Sequence, residues 1–411
     1  MSFQQALSGL NAAAKNLDVI GNNVANSNTV GFKGGRAEFA DVYASTLSSS
    51  TAGAIGIGTK VSAVTQSFTQ GSISTTNNPY DVAISGEGFF RMDNNGSVVY
   101  SRNGQFHRDS EGYLVNANGL KLTGYVTNAN GQIVTAQPQP LQLTVNSIEA
   151  KPTGSATQSV ILDSRKPAIA DNLSFDVDNS DTFTHSTSMS VYDSLGNSHL
   201  LSSYYRKTEA GQWDVYTSFD GGEATKLSTL NFNSSGQLVL SDDNANQIIP
   251  TITIPADSLS TGAADLVFKF DMSKTTQTGQ AFSNEVQLQD GYTSGRLTSF
   301  SIDETGALLA NYSNQQARMQ GQIVLASFNN PQGLMSTGGN NFVETLDSGS
   351  PRLGSPDSSN FGSVRSGALE DANIDLTAEL VNMITAQRVY QANAQTIKTQ
   401  DSIMQTIVNL R

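Results

Sequence analysis

SFQQALSGLNAAAKNLDVIGNNVAN at Ser2–Asn26 and DLTAELVNMITAQRVYQANAQTIKTQDSIMQTIVNLR at Asp375–Arg411 show the same pattern at opposite ends of a 411-residue chain. In the first, apolar or small residues recur at Phe3, Leu7, Leu10, Ala14, Leu17, Gly21 and Val24, and Ala6, Ala13 and Ile20 widen the stripe. In the second, Leu376, Leu380, Met383, Tyr390, Ala394, Ile397, Met404 and Val408 keep the same register, interrupted by Gln387 and Asp401, with Ile384, Ile403, Ile407 and Leu410 beside them. Steps of four and three keep one apolar line along a helix. Neither line has a local partner to bury against, so the spacing predicts that the two ends pair as a coiled coil. One pairing buries one seam. The flanking Ile20, Ile384, Ile403 and Ile407 are therefore expected to pack on further copies of the chain, each contributing about 1.5–3 kcal/mol on full burial. In a free monomer, helices without those lateral partners are expected to be largely disordered.

Composition narrows the function. Only 14% of residues are charged, and Ser, Thr, Asn, Gln and Gly supply the polarity instead. Uncharged amides and hydroxyls need only a hydrogen-bond partner when buried, so such surfaces pack on copies of themselves at low cost. A net charge of −13 with no basic run excludes a nucleic-acid binder, which needs cations to displace phosphate counterions. The absence of cysteine excludes disulfides and thiolate chemistry. No stretch approaches the ~18 consecutive apolar residues of a membrane span. The N-terminus lacks a basic segment followed by an apolar core, so no cleaved secretory signal is expected.

Turn formers Ser27-Asn28-Thr29-Val30-Gly31 end the first helical pattern, and Phe32 and Lys33 follow. Residues 34–70 have little periodicity and, with Ser48–Thr51, Gly53, Gly56 and Gly58, suggest a flexible or extended connector. Those glycines do not form a nucleotide loop, because their spacing is reversed relative to G-x-G-x-x-G and no helix start follows. From Gly71 onward the grammar is short strands and tight turns. One turn recurs, with Asp or Asn first and Gly fourth: Asp93 with Gly96, Asp109 with Gly112, Asn128 with Gly131, Asn233 with Gly236, Asp303 with Gly306. That order suits a type I turn whose Gly takes positive φ, so these are predicted hairpins. As calcium loops they offer too few alternate oxygen ligands.

The predicted fold class is mainly β, with the paired terminal helices enclosing nested β domains. Residues 1–30 and 371–411 form the terminal coiled-coil polymerisation domain, 31–70 and 351–370 a connector, 71–144 and 286–350 an inner β domain, and 145–285 an outer β domain. Asp375 is placed to cap the last helix. The three histidines, His107, His185 and His199, lack metal-ligand spacing and read as exposed strand or turn residues. No nucleophile elbow, phosphate loop or zinc helix occurs. No enzyme, cofactor or metal is expected.

Leu10–Ala13, Leu17, Asn22, Asn23, Ala25, Asn26, Thr29, Gly31, Phe32 and Lys33 resemble the N-terminal signature of bacterial flagellar rod and hook proteins. Leu376, Glu379–Ile384, Ala386–Arg388, Tyr390, Asn393, Ala394, Ile397, Thr399 and Asp401 resemble its C-terminal partner. Asp81–Gly86, Gly88–Phe90, Tyr100–Gly104, Leu122–Tyr125 and Gly321–Val324 resemble the inner β domain of that family. Length and the 145–285 region favour the hook branch over the shorter distal rod. The resemblance implies a self-assembling curved tube that transmits motor torque to the filament. It also implies export through the flagellum's own apparatus, and contacts with rod, cap and hook–filament junction proteins. A secreted adhesin or carbohydrate-binding β protein is the competing class, and it accounts for the middle of the chain alone.

Overall fold

The computed structural model describes residues 2–42, 56–128, 131–170, 173–239 and 248–409. Ser48–Thr51, Gly53 and Leu410 lie outside the described residues, and so does the side chain of Ile407. The protein is mainly β, with helix α1 at Ser2–Ala25 and helix α2 at Leu376–Asn409. Chain contacts divide it into two units. The first comprises Met1–Val145, Ser299–Asn311 and Ala317–Arg411, and the second Asn146–Thr298 and Tyr312–Gln316.

In the first unit, strands from before the central stretch are flanked on both sides by strands from after it in one sheet. Ala317–Ile323, Lys121–Val126, Phe89–Asn94, Ser97–Ser101, Asn341–Val343 and Met335–Gly338 are successive antiparallel neighbours. Its core gathers Val82, Ile84, Phe90, Met92, Leu122 and Ile323. A second cluster is aromatic, with Phe68, Phe89, Tyr100, Phe328 and Phe342 in edge-on contacts that the ring quadrupoles favour. In the recurring Asp/Asn turns the fourth-position glycines 96, 112, 131, 236 and 306 all take positive φ. Residues 129 and 130, inside one of these turns, lie outside the described residues.

Two expectations are corrected. Residues 34–70, expected to be a flexible or extended connector, instead hold a hairpin in their described parts, where strand β1 (Gly35–Val42) and strand β2 (Gly58–Gln66) pair antiparallel with a bulge at Glu38/Phe39. The β-branched Thr59, Val61, Val64 and Thr65 suit that pairing, and the glycines and serines between the strands masked it. Residues 351–370 are likewise not a connector. Arg352–Gly354 pairs with Leu325–Ser327, Ser363–Ser366 with Val82–Ser85, and Ala368–Glu370 with Ile73–Thr75. Glycine serves close approach here: a Cβ on Gly362 would lie 2.4 Å from the Ser85 carbonyl oxygen.

The second unit holds a four-stranded antiparallel sheet, His185–Tyr192, Ser198–Glu209, Gln212–Phe219 and Thr225–Asn231, and a five-stranded sheet built on Ser155–Asp163. Val160, Tyr205, Trp213, Val215, Phe268 and Phe270, drawn from both sheets, share one core. Trp213 is fully buried and donates its indole N–H to Gln277 Oε1 at 2.8 Å. Ser283–Gln289 pairs with Ser155–Asp163, so this unit continues past residue 285. Strand alternation carries no label for the sheet a strand will join.

His199 departs from its expected exposure. Its side chain is 7% exposed, with Nδ1 2.7 Å from Asp220 Oδ2 and Nε2 3.3 Å from Asp193 Oδ2. Burial pulls its proton affinity down, but the hydrogen bonds and charges of Asp220 and Asp193 outweigh this, and its pKa is raised. Asp193 is also buried, which raises its pKa, yet hydrogen bonds from Asn197, His199 and Thr261 hold its carboxyl below the ordinary range. The folded state thus binds the His199 proton more tightly than the unfolded chain does. The stabilisation is complete below the ordinary value near 6.5 and is lost as pH rises through the raised value. The urea midpoint, followed by Trp213 fluorescence, is expected to fall as pH rises from the ordinary value near 6.5 through the raised one, and this fall should vanish in His199→Asn. An equal fall in the variant would assign the dependence to other groups.

Candidate assembly surface

Helix α1 packs on α2 and on both strands of the β1–β2 hairpin. The helices run antiparallel: Gly9 lies against the Asn393 side chain, while Gly34, just past α1, meets Asn373 and Ile374, just before α2. The Gly34 N–H donates to Asn373 Oδ1 at 2.8 Å. Asp375 caps α2 by accepting from the N–H groups of Thr377 (2.9 Å) and Ala378 (3.2 Å).

The buried line of α1 is not the stripe that begins at Phe3. Ala6, Ala12, Ala13, Ile20 and Asn23 are buried, and Gly9 and Asn16 are half-buried among them. Phe3 and Leu7 are exposed, and Leu10, Leu17 and Val24 are half-buried. Small side chains let α2 and the hairpin approach closely, so the inner face of α1 is mainly Ala and Gly with Asn23 and with Ile20, which is buried within the chain rather than left for further copies, while Phe3 and Leu7 are displaced outward. Reading by hydrophobicity alone selects the larger residues. On α2, Ala386 is buried and Met383, Asn393, Ala394 and Ile397 are half-buried. Leu380, Ile384 (51%), Tyr390, Ile403 and Met404 (59%) are exposed. Apolar exposure on this scale along one helix pair makes it a candidate interaction surface.

The residues of the N-terminal signature run from the last turns of α1, at Asn22 and Asn23, into a joint beyond it. Asn23 Oδ1 accepts from the Gly35 N–H (2.9 Å) and its Nδ2 donates to the Gly35 carbonyl (2.8 Å), fixing the hairpin on the helix. Asn26 Nδ2 donates to the Asn22 carbonyl at 2.9 Å, and Thr29 Oγ1 donates to Asn26 Oδ1 at 3.3 Å. Gly31 has φ +69°, and a Cβ there would sit 2.6 Å from the Asn103 backbone nitrogen. The Phe32 N–H donates to the Thr29 carbonyl at 3.2 Å.

At the centre of the joint, Lys33 Nζ donates to Glu370 Oε1 at 2.7 Å and to the Thr69 carbonyl at 2.8 Å. Arg102 Nη1 donates to Glu370 Oε2 at 3.1 Å and Nη2 to the Gly86 carbonyl at 2.7 Å. The Gly71 N–H also donates to Glu370 Oε1, at 2.9 Å. All three side chains are at most 5% exposed. Burial holds the Lys33 ammonium and the Arg102 guanidinium below their ordinary pKa values, against the opposing pull of Glu370. Sequence reading recognised Lys33 and Arg102 only as motif letters and missed Glu370. The only available signal was an acidic residue in the apolar context Ala368-Leu369.

Four family profiles match along the chain: Flagella basal body rod protein over residues 3–33, Flagellar hook protein FlgE/F/G D1 domain over 83–164, Flagellar basal body protein FlaE D2 domain over 161–292, and Flagellar basal body rod FlgEFG protein C-terminal over 365–410. The third covers most of the 145–285 region. The chain is 44% identical to the flagellar hook protein FlgE of Salmonella typhimurium over 420 aligned residues, covering 100% of both chains. Against the FlgE of Borreliella burgdorferi the identity is 34%, over 100% of this chain and 99% of the relative. The fold resembles the crystal structure of Helicobacter pylori flagellar hook protein FlgE2, with a TM-score of 0.54 at 16% identity over 72% of this chain and 100% of that one. Full-length identity of this order, with matching profiles at both ends and in the middle, places the chain in the FlgE family of flagellar hook proteins, structural subunits of the bacterial flagellum.

Proposed function

We propose that copies of this chain polymerise through their terminal helices into the curved, flexible helical tube of the hook, which passes motor torque to the filament. One observation carries the reading: α1 and α2 pack together through small residues and leave Phe3, Leu7, Leu380, Ile384, Ile403 and Met404 in water. A single coiled-coil pairing leaves these positions for neighbouring copies. Contact between different patches of identical subunits is heterologous, and with a rotation that closes no ring the polymer grows as an open helix. The ends supply stiffness against twist. The second unit serves as the sliding outer layer that lets the tube bend. Export through the flagellar apparatus and contacts with rod, cap and hook–filament junction proteins follow from the same reading.

Electron microscopy of the purified chain is expected to show tubes with helical order. A chain that stays monomeric under every polymerising condition would overturn the proposal. Because the chain has no cysteine, pairs introduced on facing second units give specific crosslinks. Tubes locked in this way should assemble and fail to bend.

A further inference from the structure

Beside the helix pair lies a groove of about 860 Å³ within the first unit. Strand β2 and strand Met335–Gly338 contribute residues to its walls, and Lys15, Asp18, Asn22 and Asn23 of α1 complete it. Among the described residues, each of these strands is hydrogen-bonded to one neighbour only, β2 to β1 and Met335–Gly338 to Asn341–Val343. Both walls thus come from strands with a free edge. Val64 and Met335, one on each wall, are each 56% exposed.

We infer that this groove receives an extended segment of a second copy of the chain, held by β-strand addition to a free edge and by apolar contact with Val64 and Met335. The inference rests on the hook-subunit reading and names a contact within it. Groove chemistry selects the occupant. Apart from Lys33, which is engaged by Glu370, the charges lining it are Lys15 and Asp18, paired with each other at 3.2 Å. The other polar groups are amides and hydroxyls such as Asn22, Asn26, Gln66 and Ser336. An acidic or basic peptide finds no counter-charge there. A segment rich in Ser, Thr, Asn and Gln with interspersed apolar residues fits, and that is the composition of this chain, only 14% charged. The groove lies along the helix of the candidate assembly surface, since α1 lines it from Lys15 onward and carries the exposed Phe3 and Leu7 nearer its N-terminus.

The test replaces Met335 or Val64 with the photoreactive residue p-benzoyl-phenylalanine in the full chain. Irradiated tubes are expected to give dimers and higher ladders of this chain, with the crosslink mapped by mass spectrometry to one extended segment of the neighbour. Irradiated monomer should give none. In parallel, Val64→Asp with Met335→Asp should lower the yield of polymer at fixed protein concentration at least ~10-fold, the size of effect expected from losing about 1.4 kcal/mol of contact. Both positions are solvent-exposed, so the monomer's circular dichroism and Trp213 fluorescence should not change. If tubes form but crosslinks stay within one chain, map to another flagellar protein, or the charged variant assembles normally, the groove proposal falls and the hook reading stands. If the unsubstituted chain forms no tubes, both fall.

Discussion

Glu370→Ala is expected to destabilise the first unit by about 3–5 kcal/mol, the cost of removing one partner from a buried ionic cluster. The asymmetry of the cluster sharpens this expectation. Lys33 and Arg102 share the one carboxylate, and the side chains of all three are at most 5% exposed. Removing Glu370 strands two buried cations, whereas Lys33→Met leaves Glu370 and Arg102 as a balanced pair and should cost distinctly less. Total stabilities of domains are only about 5–15 kcal/mol, so the alanine variant should be close to unfolding. Hydrogen exchange of Phe89–Asn94 and Ser97–Ser101 reads the loss directly. Trp213, buried in the second unit, serves as an internal control that should not move. Unchanged exchange in the Glu370→Ala variant, or equal losses in both variants, would show that the cluster does not tie the chain ends together as its geometry indicates.

Leu7→Asp combined with Ile384→Asp should abolish polymerisation while leaving the monomer folded. The two side chains are 42% and 51% exposed in the isolated chain, so a carboxylate at either position stays hydrated there. In a tube they are to be buried, where each loses about 1.5–3 kcal/mol of apolar burial. Every 1.4 kcal/mol is tenfold in affinity, so each site should raise the critical concentration by about 10- to 100-fold. Burying an unpaired charge adds to this. Sedimentation of polymer against protein concentration gives the shift. Ala13→Asp is the contrasting variant, since Ala13 is 6% exposed on the inner face of α1 and its substitution should disturb the helix pair itself. If the Leu7 and Ile384 variant polymerises at the ordinary concentration, the exposed apolar faces are not the contact between subunits.

Elements whose cause is local were legible in the chain. The heptad-like spacing at both ends indicated two helices, Asp375 indicated a cap, and the Asp/Asn turns indicated hairpins closed by glycines at positive φ. Low charge and the absence of cysteine were properties of composition and needed no structure. Burial and partnership were not legible, because they depend on what a residue meets after the chain returns from far away. The α1 seam passes to Ala6, Ala13 and Ile20 because close packing favours small side chains over strongly apolar ones. Residues 34–70 and 351–370 looked like linkers because glycine marks both flexibility and close backbone approach, and only the neighbouring strand distinguishes the two. His199 looked exposed because nothing local announces Asp220 on another strand end. The sequence by itself determined that the termini are helices bearing wide apolar faces around a β interior. Only the tertiary structure decided which side of each helix stays in water and that Lys33, Arg102 and Glu370 meet, since Glu370 lies 337 positions along the chain from Lys33.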